Sequence, residues 1–223
     1  MIKAVVFDMF ETLVTHYRSG FYFGENIAED MGITEKKFRE IWDTTDDDRT
    51  IGKLTFDDTM RNILKANHIY SDELFKKIVD KRVSCKKKVF TTFDDEVLSM
   101  LRGLRKRGIK IALISNCFSE EAPIIRESAL APYFDVLMLS YEQGVKKPDP
   151  EIYKRTLSKL GLEASECLYV GDGGSHELEA AEEIGMKPLQ AKWYLSENNR
   201  TVPKIFDQYE GLEKPGDLFD YVK

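Results

Sequence analysis

The stretch Val5-Val6-Phe7-Asp8-Met9-Phe10-Glu11-Thr12 decides the fold of this 223-residue chain. It begins with a short apolar run, rich in β-branched side chains, that stops at an acidic residue. Such a run predicts a strand buried on both faces, as found inside a parallel sheet. Three later runs have the same character, at residues 109–114, 136–139 and 168–170. The sequence therefore predicts at least these four parallel strands.

Amphipathic helical patterns separate the predicted strands. Residues 96–107 place their apolar side chains on one face and stop before Gly108, a residue typical of helix ends. Asp149-Pro150 begins another helix, with an N-cap followed by a first-turn proline. Strands that alternate with helices predict a doubly wound, Rossmann-like α/β domain built on a parallel sheet.

Residues 15–87 break this alternation, because their apolar residues recur only at helical spacing. Three amphipathic patterns occur there, around Trp42, Ile63 and Ile78, and Thr55-Phe56-Asp57-Asp58 is a capping signal for the second helix. We therefore predict two units. Residues 1–14 and 88–223 form an α/β catalytic core, and residues 15–87 form an inserted helical cap.

Composition and charge limit the partners of the chain. The formal net charge is −6 and the isoelectric point is about 5.3, whereas nucleic-acid binding usually leaves a basic stripe. We interpret the one dense basic run, Lys86-Lys87-Lys88, as a solvated face. Three widely spaced cysteines match no disulfide or zinc pattern, and neither a signal peptide nor a membrane-spanning run is visible. We expect a cytoplasmic protein with no nucleic-acid or membrane partner.

Distinctive polar residues lie where the predicted strands end, which is where open parallel sheets bind ligands. Asp8 to Thr12 follow the first strand and Ser115-Asn116 follow the second. Lys146-Lys147-Pro148-Asp149-Pro150 precedes a helix, and Gly171-Asp172-Gly173-Gly174-Ser175-His176-Glu177 follows the last predicted strand. This set and order, with a helical insert after the first strand, resembles the haloacid dehalogenase (HAD) superfamily in its branch with the first type of cap. The resemblance covers nearly the whole chain.

The resemblance implies a hydrolase, most often a phosphatase, in which Asp8 attacks phosphorus and forms an aspartyl-phosphate that water hydrolyses. It also implies a Mg²⁺ cofactor held by Asp8, the backbone carbonyl of Phe10, Asp172 and Glu177. Lys147 is expected to neutralise Asp8 and a phosphate oxygen. The remaining phosphate oxygens are expected to bind Thr12, Ser115 and Asn116.

Phe10 departs from the pattern of the phosphatases, which usually carry an aspartate there to protonate the leaving group. Dehalogenases of the superfamily have an aromatic residue at this place, because a halide leaves as a stable anion. A 2-haloacid dehalogenase, with Arg39 contacting halide or carboxylate, is therefore one alternative. A catalytically weak binding or regulatory protein with this fold is another. Asp172 and Glu177 oppose the dehalogenase, since three clustered acids without a cation repel one another.

In a phosphatase, another group would have to replace the missing acid. The candidates are His16, Glu11 and His176, and a good leaving group such as an acyl or aryl phosphate would need no acid. The cap is expected to favour a small, soluble, anionic substrate, with Lys53 as one candidate contact. The sequence leaves open whether the protein is a monomer or a homodimer.

Overall fold

The computed structural model describes residues 1–19, 21–197 and 204–222. In this part of the chain, six parallel strands form one sheet in the order β3-β2-β1-β4-β5-β6. The strands are β1 (Ala4–Phe7), β2 (Lys110–Ser115), β3 (Val136–Leu139), β4 (Cys167–Gly171), β5 (Lys187–Ala191) and β6 (Glu210–Leu212). The chain order reverses between β1 and β4, which is the position where doubly wound sheets bind ligands. The predicted doubly wound α/β fold is confirmed.

Helices lie between β1 and β2 and on both faces of the sheet. Those between β1 and β2 are α1 (Gly24–Met31), α2 (Glu35–Trp42), α3 (Asp46–Thr50), α4 (Phe56–Ala66), α5 (Asp72–Val89) and α6 (Asp95–Lys106). The later ones are α7 (Glu121–Glu127), α8 (Ser140–Gln143), α9 (Pro150–Leu160) and α10 (Glu177–Ile184). Across the described residues, no helix combines the length and apolar character that crossing a membrane requires.

Local sequence signals explain where several helices begin and end. Thr55 accepts a hydrogen bond from the backbone of Asp58 at 2.9 Å, which is the predicted N-cap of α4. Asp149 caps α9 in the same way, through the backbone N–H of Glu151 at 2.9 Å. Gly108 follows α6 with a φ of +71°, a conformation that costs glycine little.

Apolar side chains pack in three clusters. Two of them cover the opposite faces of the sheet, with Val5 and Phe7 on one face and Ala4 and Val6 on the other. The third lies among α1, α2, α4 and α5 and includes the buried rings of Phe38 and Phe56. We call α1 to α5 the helical insert. The boundaries of a separate cap at residues 15 and 87 stay a prediction.

The helical insert contacts the core at the segment that follows β2, among other places. The backbone N–H of Phe56 donates to Ser119 Oγ at 2.8 Å. Arg82 of α5 binds Glu120 at 2.9 Å, and Lys86 of the same helix binds Glu121 at 2.5 Å. Lys86 also lies 2.8 Å from His16 Nε2. We call Arg82, Lys86, Glu120, Glu121 and His16 the interface network.

The interpretation of Lys86-Lys87-Lys88 as a solvated face is wrong for its first residue. Lys86 is only 5% exposed. Successive residues of a helix point about 100° apart, so one lysine of the three faces the core while its neighbours remain outside. Two acidic residues at the start of α7 make that inward position tolerable for an ammonium group, because a buried charge needs a partner.

Candidate active site

Three carboxylates meet at the carboxyl edge of the sheet. Asp8 follows β1, Asp172 follows β4 and Glu177 begins α10. Phe7 pairs with Val170 across the two strands, so Asp8 and the residues after β4 leave the sheet side by side. One oxygen from each carboxylate lies within 4.8 Å of the others. We call Asp8, Asp172 and Glu177 the acidic cluster.

Lys147 supplies a buried positive charge beside the acidic cluster. Its ammonium group lies 2.5 Å from Asp8 Oδ1, and the residue is 2% exposed. Asn116 fixes the backbone of Lys147 from both sides. The N–H of Lys147 donates to Asn116 Oδ1 at 2.8 Å, and Asn116 Nδ2 donates to the carbonyl of Lys147 at 3.0 Å. The residue after β2 therefore positions the lysine instead of facing solvent.

Electrostatics show that the acidic cluster holds more negative charge than Lys147 balances. Burial raises the pKa of Asp8 to about 6, opposed by Lys147 and reinforced by Glu177. Burial also raises the pKa of Asp172 well above its usual value, and the charges of Glu177 and Asp8 add to that effect. With three carboxylates and one ammonium group, the chemistry of this donor set fits a hard divalent cation.

The loop after β4 aims Glu177 at the site. The backbone N–H groups of Gly173 and Ser175 donate to its carboxylate at 2.8 and 2.6 Å, and the residue is fully buried. Burial by itself raises the pKa of Glu177, but Lys147 and these N–H groups lower it below the usual value. Gly173 has a φ of +97°, and a Cβ there would lie 2.3 Å from the ring of Phe206. Glycine is therefore required at this turn.

Gln190 is a site residue that the sequence did not reveal. It lies at the end of β5, is fully buried, and its amide donates to the carbonyl of Asp172 at 2.9 Å. The same side chain binds the carbonyl of Lys204 and accepts from the N–H of Phe206, at 2.7 and 3.1 Å. The rule about strand ends would have found it, had Lys187-Pro188-Leu189-Gln190 been predicted as a strand.

Two buried hydroxyl groups lie on the residues predicted to bind phosphate. Thr12 and Ser115 are both fully buried. Within the described residues, Thr12 Oγ1 has no hydrogen-bond partner, and the hydrogen bond of Ser115 Oγ is long, 3.5 Å to the carbonyl of Asn116. Trp193 holds the backbone of Thr12 in place, through a 2.8 Å hydrogen bond to its carbonyl. A buried hydroxyl without a partner is costly, which fits a ligand oxygen at this place.

Phe10, Glu11 and His16 form a packed group at the entrance to the helical insert. The rings of Phe10 and His16 stack with centroids 4.7 Å apart. His16 Nδ1 lies 2.9 Å from Glu11, and its Nε2 lies 2.8 Å from Lys86. Burial and the Lys86 charge lower the pKa of His16 well below its usual value. Both ring nitrogens are thus engaged, and the acid–base role of His16 and Glu11 stays a prediction.

A cavity of about 430 Å³ borders the site, and Lys147, which binds Asp8, is part of its wall. The core contributes Phe10, Asn116, Phe118 and Lys147 to its wall, and α3 of the helical insert contributes Asp46 and Thr50. His16, Glu11, Arg39 and Lys53 are outside its lining. The side chain of Arg39 is 51% exposed and pairs with Glu35 and Asp43, and that of Lys53 is 67% exposed beside Asp48. Arg39 is therefore the surface residue that its helix position favours.

Comparison with known proteins agrees with this geometry. Residues 2–185 match the family model described as haloacid dehalogenase-like hydrolase. The chain belongs to the haloacid dehalogenase-like hydrolase family. The resemblance carried by the four sequence motifs is thereby confirmed. Among curated relatives, the phosphoglycolate phosphatase of Aquifex aeolicus is 32% identical over 131 residues, which are 58% of this chain and 59% of that enzyme.

Solved structures of HAD family members share the fold over most of the chain. A HAD family enzyme of Bacteroides thetaiotaomicron, in complex with magnesium and inorganic phosphate, has a TM-score of 0.62 at 20% identity, over 86% of this chain and 95% of that one. A 2-haloacid dehalogenase of Pseudomonas syringae pv. Tomato DC3000 has a TM-score of 0.68 at 19% identity, over 99% and 97%. At this identity the likeness concerns the fold alone. The chain spans between 34% and 59% of the length of the first curated relatives it matches.

Proposed function

We propose that this HAD family hydrolase is a Mg²⁺-dependent phosphatase that cleaves a small phosphate monoester through Asp8. The observation that carries the proposal is the position of Asp8, 2.5 Å from Lys147 and within 4.8 Å of the oxygens of Asp172 and Glu177. A carboxylate in such a place suits a nucleophile, because Lys147 balances its negative charge and a cation held by the other two carboxylates would add to that effect. The phosphatase relative from Aquifex aeolicus supports the same activity.

The residues present suit Mg²⁺, a cation that prefers carboxylate oxygens. The ion would be held by Asp8, Asp172 and Glu177 together with the backbone carbonyl of Phe10. When bound, Mg²⁺ neutralises charge on the phosphoryl oxygens and so lowers the barrier to attack by an anion. The HAD family enzyme solved with magnesium and inorganic phosphate is consistent with this assignment.

The residues of the chain itself perform the remaining tasks. Asp8 attacks phosphorus and forms an aspartyl-phosphate, which water then hydrolyses to regenerate the carboxylate. Lys147 balances the charge of Asp8 and of one phosphoryl oxygen throughout. The hydroxyl groups of Thr12 and Ser115 donate to the other oxygens, which gives Thr12 the partner that it lacks within the described residues and Ser115 a closer one. Asn116 holds Lys147 in position through both of its backbone hydrogen bonds.

Residues 15–87 would act as a cap that covers the substrate. Asp46 and Thr50 of the helical insert line the same cavity as Asn116 and Lys147 of the core, so a bound substrate would contact both. The cavity of about 430 Å³ accommodates a small molecule and leaves little space for a macromolecule. A small phosphorylated metabolite is therefore the substrate class that this arrangement favours.

Hydrolysis of p-nitrophenyl phosphate tests the proposal. We expect turnover with Mg²⁺, none with EDTA, and none with Asp8→Asn. Asp220→Asn is the control and should keep its activity, because Asp220 is an exposed acid near the end of the described chain. Activity that survives EDTA or the loss of Asp8 would contradict the proposed mechanism.

A 2-haloacid dehalogenase is the second candidate, and the aromatic ring of Phe10 at the cavity wall is the observation that favours it. Release of halide from 2-chloropropionate without added metal, in a protein that leaves p-nitrophenyl phosphate intact, would establish this alternative instead.

A further inference from the structure

Two aromatic residues line the cavity next to the phosphoryl site. Phe10 lies two residues beyond Asp8, and Phe118 lies two residues beyond Asn116. Both rings line the cavity. Phe10 is held by the stacked ring of His16 and by the edge of Phe90, whose centroid is 6.1 Å away. These contacts fix the ring of Phe10 as a rigid part of the wall.

The carboxylates and lysines of this cavity bind other residues, and His176 is the exception within the described lining. Glu121 accepts from Lys86 at 2.5 Å and from the N–H of Phe118 at 2.9 Å. Burial alone raises the pKa of Glu121, but Lys86 and Arg82 lower it to about 2, so this carboxylate holds no proton at neutral pH.

The remaining charged groups of the lining are paired as well. Lys146 binds Asp47 at 2.5 Å, and Asp46 binds the buried guanidinium of Arg49 at 3.2 Å. Lys147 is bound to Asp8. The side chain of His176 is 71% exposed and lies 3.7 Å from Glu179. Within the described lining, the carboxylates Asp46 and Glu121 are therefore ion-paired, and neither is free to protonate an oxygen that leaves phosphorus.

We propose that the natural substrate is an aryl phosphate, whose leaving oxygen departs as a phenolate without being protonated. This inference rests on the proposed phosphatase activity and names its substrate class. In the first step, Asp8 forms a bond to phosphorus, the bond from phosphorus to the aryl oxygen breaks, and its electron pair remains on the phenolate. In the second step, water attacks phosphorus, the electron pair of the broken bond returns to Asp8, and the proton of water passes to the phosphate product.

Two features of the cavity support this substrate class. An alkoxide is a poor leaving group unless an acid protonates it, and such an acid contributes about 10²–10⁴-fold in rate. A phenolate is far more stable, because phenols ionise near a pKa of about 10. Phe10 and Phe118 both line the cavity, so an aromatic leaving group there would contact aromatic side chains.

The test is a leaving-group series with the wild-type protein and Mg²⁺. The probes are p-nitrophenyl, p-chlorophenyl and phenyl phosphate, with 2-phosphoglycolate as the alkyl ester. We expect kcat/KM to fall steadily along the series, by about 100-fold or more between p-nitrophenyl phosphate and 2-phosphoglycolate. Equal or higher kcat/KM for 2-phosphoglycolate would overturn the inference while leaving the phosphatase intact. Failure to hydrolyse any probe would overturn the phosphatase itself.

A matched pair of variants separates the missing acid from the aromatic wall. Phe10→Asp places a carboxylic acid at the wall, and Phe10→Asn has the same shape without one. We expect Phe10→Asp to raise kcat/KM for 2-phosphoglycolate by about tenfold or more over Phe10→Asn, since only Asp can protonate the alkoxide. Equal values for the two variants would show that another group already supplies the proton.

The aromatic wall has a test of its own in Phe118→Leu. We expect KM for p-nitrophenyl phosphate to rise several-fold, with KM for 2-phosphoglycolate unchanged, because only the aryl ester packs against the ring. A parallel rise for both esters would mean that Phe118 serves the packing of the helical insert and does not select the substrate.

Discussion

This protein contains two groups of buried charge that differ in their balance. The interface network sets Arg82 and Lys86 against Glu120 and Glu121, so that two cations face two carboxylates. The acidic cluster sets three carboxylates against Lys147 alone. Both groups are largely buried, and both join elements that are distant in sequence. Only the first is electrically complete within the described residues.

The difference separates a structural site from a functional one. A balanced network holds the helical insert against the segment after β2 and needs nothing from solution. An unbalanced cluster repels itself, and it persists only where a ligand or a catalytic role compensates. The carboxylate that binds the lysine differs in its pKa between the two groups. Glu121 in the network has its pKa lowered to about 2, whereas burial raises that of Asp8 to about 6 despite Lys147.

The largest expected effect comes from removing the nucleophile. Asp8→Asn should lower kcat by about 10⁴-fold or more, in the way that loss of a nucleophile does in other hydrolases. Without Mg²⁺ the same variant should unfold at an equal or higher temperature than the wild type at pH 8, because a carboxylate whose pKa is raised destabilises the fold when it is charged. Activity assays and thermal melts check both parts. A clearly lower melting temperature would mean that the acidic cluster is stabilising and that the contrast is wrong.

Breaking the interface network should lower the stability of the fold, whereas Asp8→Asn should not. Glu121→Gln removes the carboxylate that Lys86 binds and leaves Glu120 alone to balance two buried cations, and we expect a loss of about 3–5 kcal/mol in the free energy of unfolding. Urea denaturation at pH 7 measures it. Glu127→Gln in the same helix, at an exposed position, is the matched control.

The effect of Glu121→Gln on the free energy of unfolding should depend on pH in a definite direction. The pKa of Glu121 is lowered on folding, from a usual value of 4.5 to about 2. Its stabilising effect is therefore complete above the unfolded pKa and is lost as the pH falls from 4.5 towards 2. The difference in unfolding free energy between wild type and Glu121→Gln should shrink over that window. A difference that is constant with pH would show that Glu121 acts by packing alone.

Added Mg²⁺ should act on the acidic cluster and leave the interface network unaffected. A ligand at 100 times its dissociation constant adds about 2.7 kcal/mol to the free energy of unfolding. We expect such a rise for the wild type and for Glu121→Gln, and little or none for Asp172→Asn. Thermal melts with and without Mg²⁺ measure this stabilisation. If Mg²⁺ stabilised Asp172→Asn as much as the wild type, Asp172 would not be a metal ligand.

Sequence alone predicted the parts of this architecture that depend on local pattern. The four apolar runs correspond to β1 to β4, since a strand buried on both faces must be apolar along its length. Asp8 and Asp172 were noticed because they follow strands, and the metal-binding role of the three acids, Glu177 included, came from the resemblance to the HAD superfamily. Helix limits near Thr55, Gly108 and Asp149 followed from capping chemistry.

The features that sequence did not predict arise from tertiary contacts. β5 reads as Lys187-Pro188-Leu189-Gln190-Ala191, which lacks an apolar run because it lies nearer the edge of the sheet. The local sequence does not distinguish Lys86 from its two neighbouring lysines, and its burial follows from the packing of α5 against α7. Asn116 was predicted to bind the substrate, and only the structure shows that its amide oxygen and its amide nitrogen both bind the backbone of Lys147. Pairings between distant segments cannot be predicted from a local sequence pattern.

The smallest expected effect concerns Gln190, whose side chain binds the acidic cluster only at the backbone carbonyl of Asp172. Gln190→Met keeps the side-chain length but removes the donor to the carbonyl of Asp172. Groups that orient a metal ligand change metal affinity by about 10–100-fold. We therefore expect the Mg²⁺ concentration for half-maximal activity to rise by about tenfold, with kcat at saturating Mg²⁺ nearly unchanged. Gln208→Met, at an exposed position, is the control. If kcat fell instead while the Mg²⁺ requirement stayed the same, Gln190 would support the fold of the segment at Phe206, and the acidic cluster would hold its shape without it.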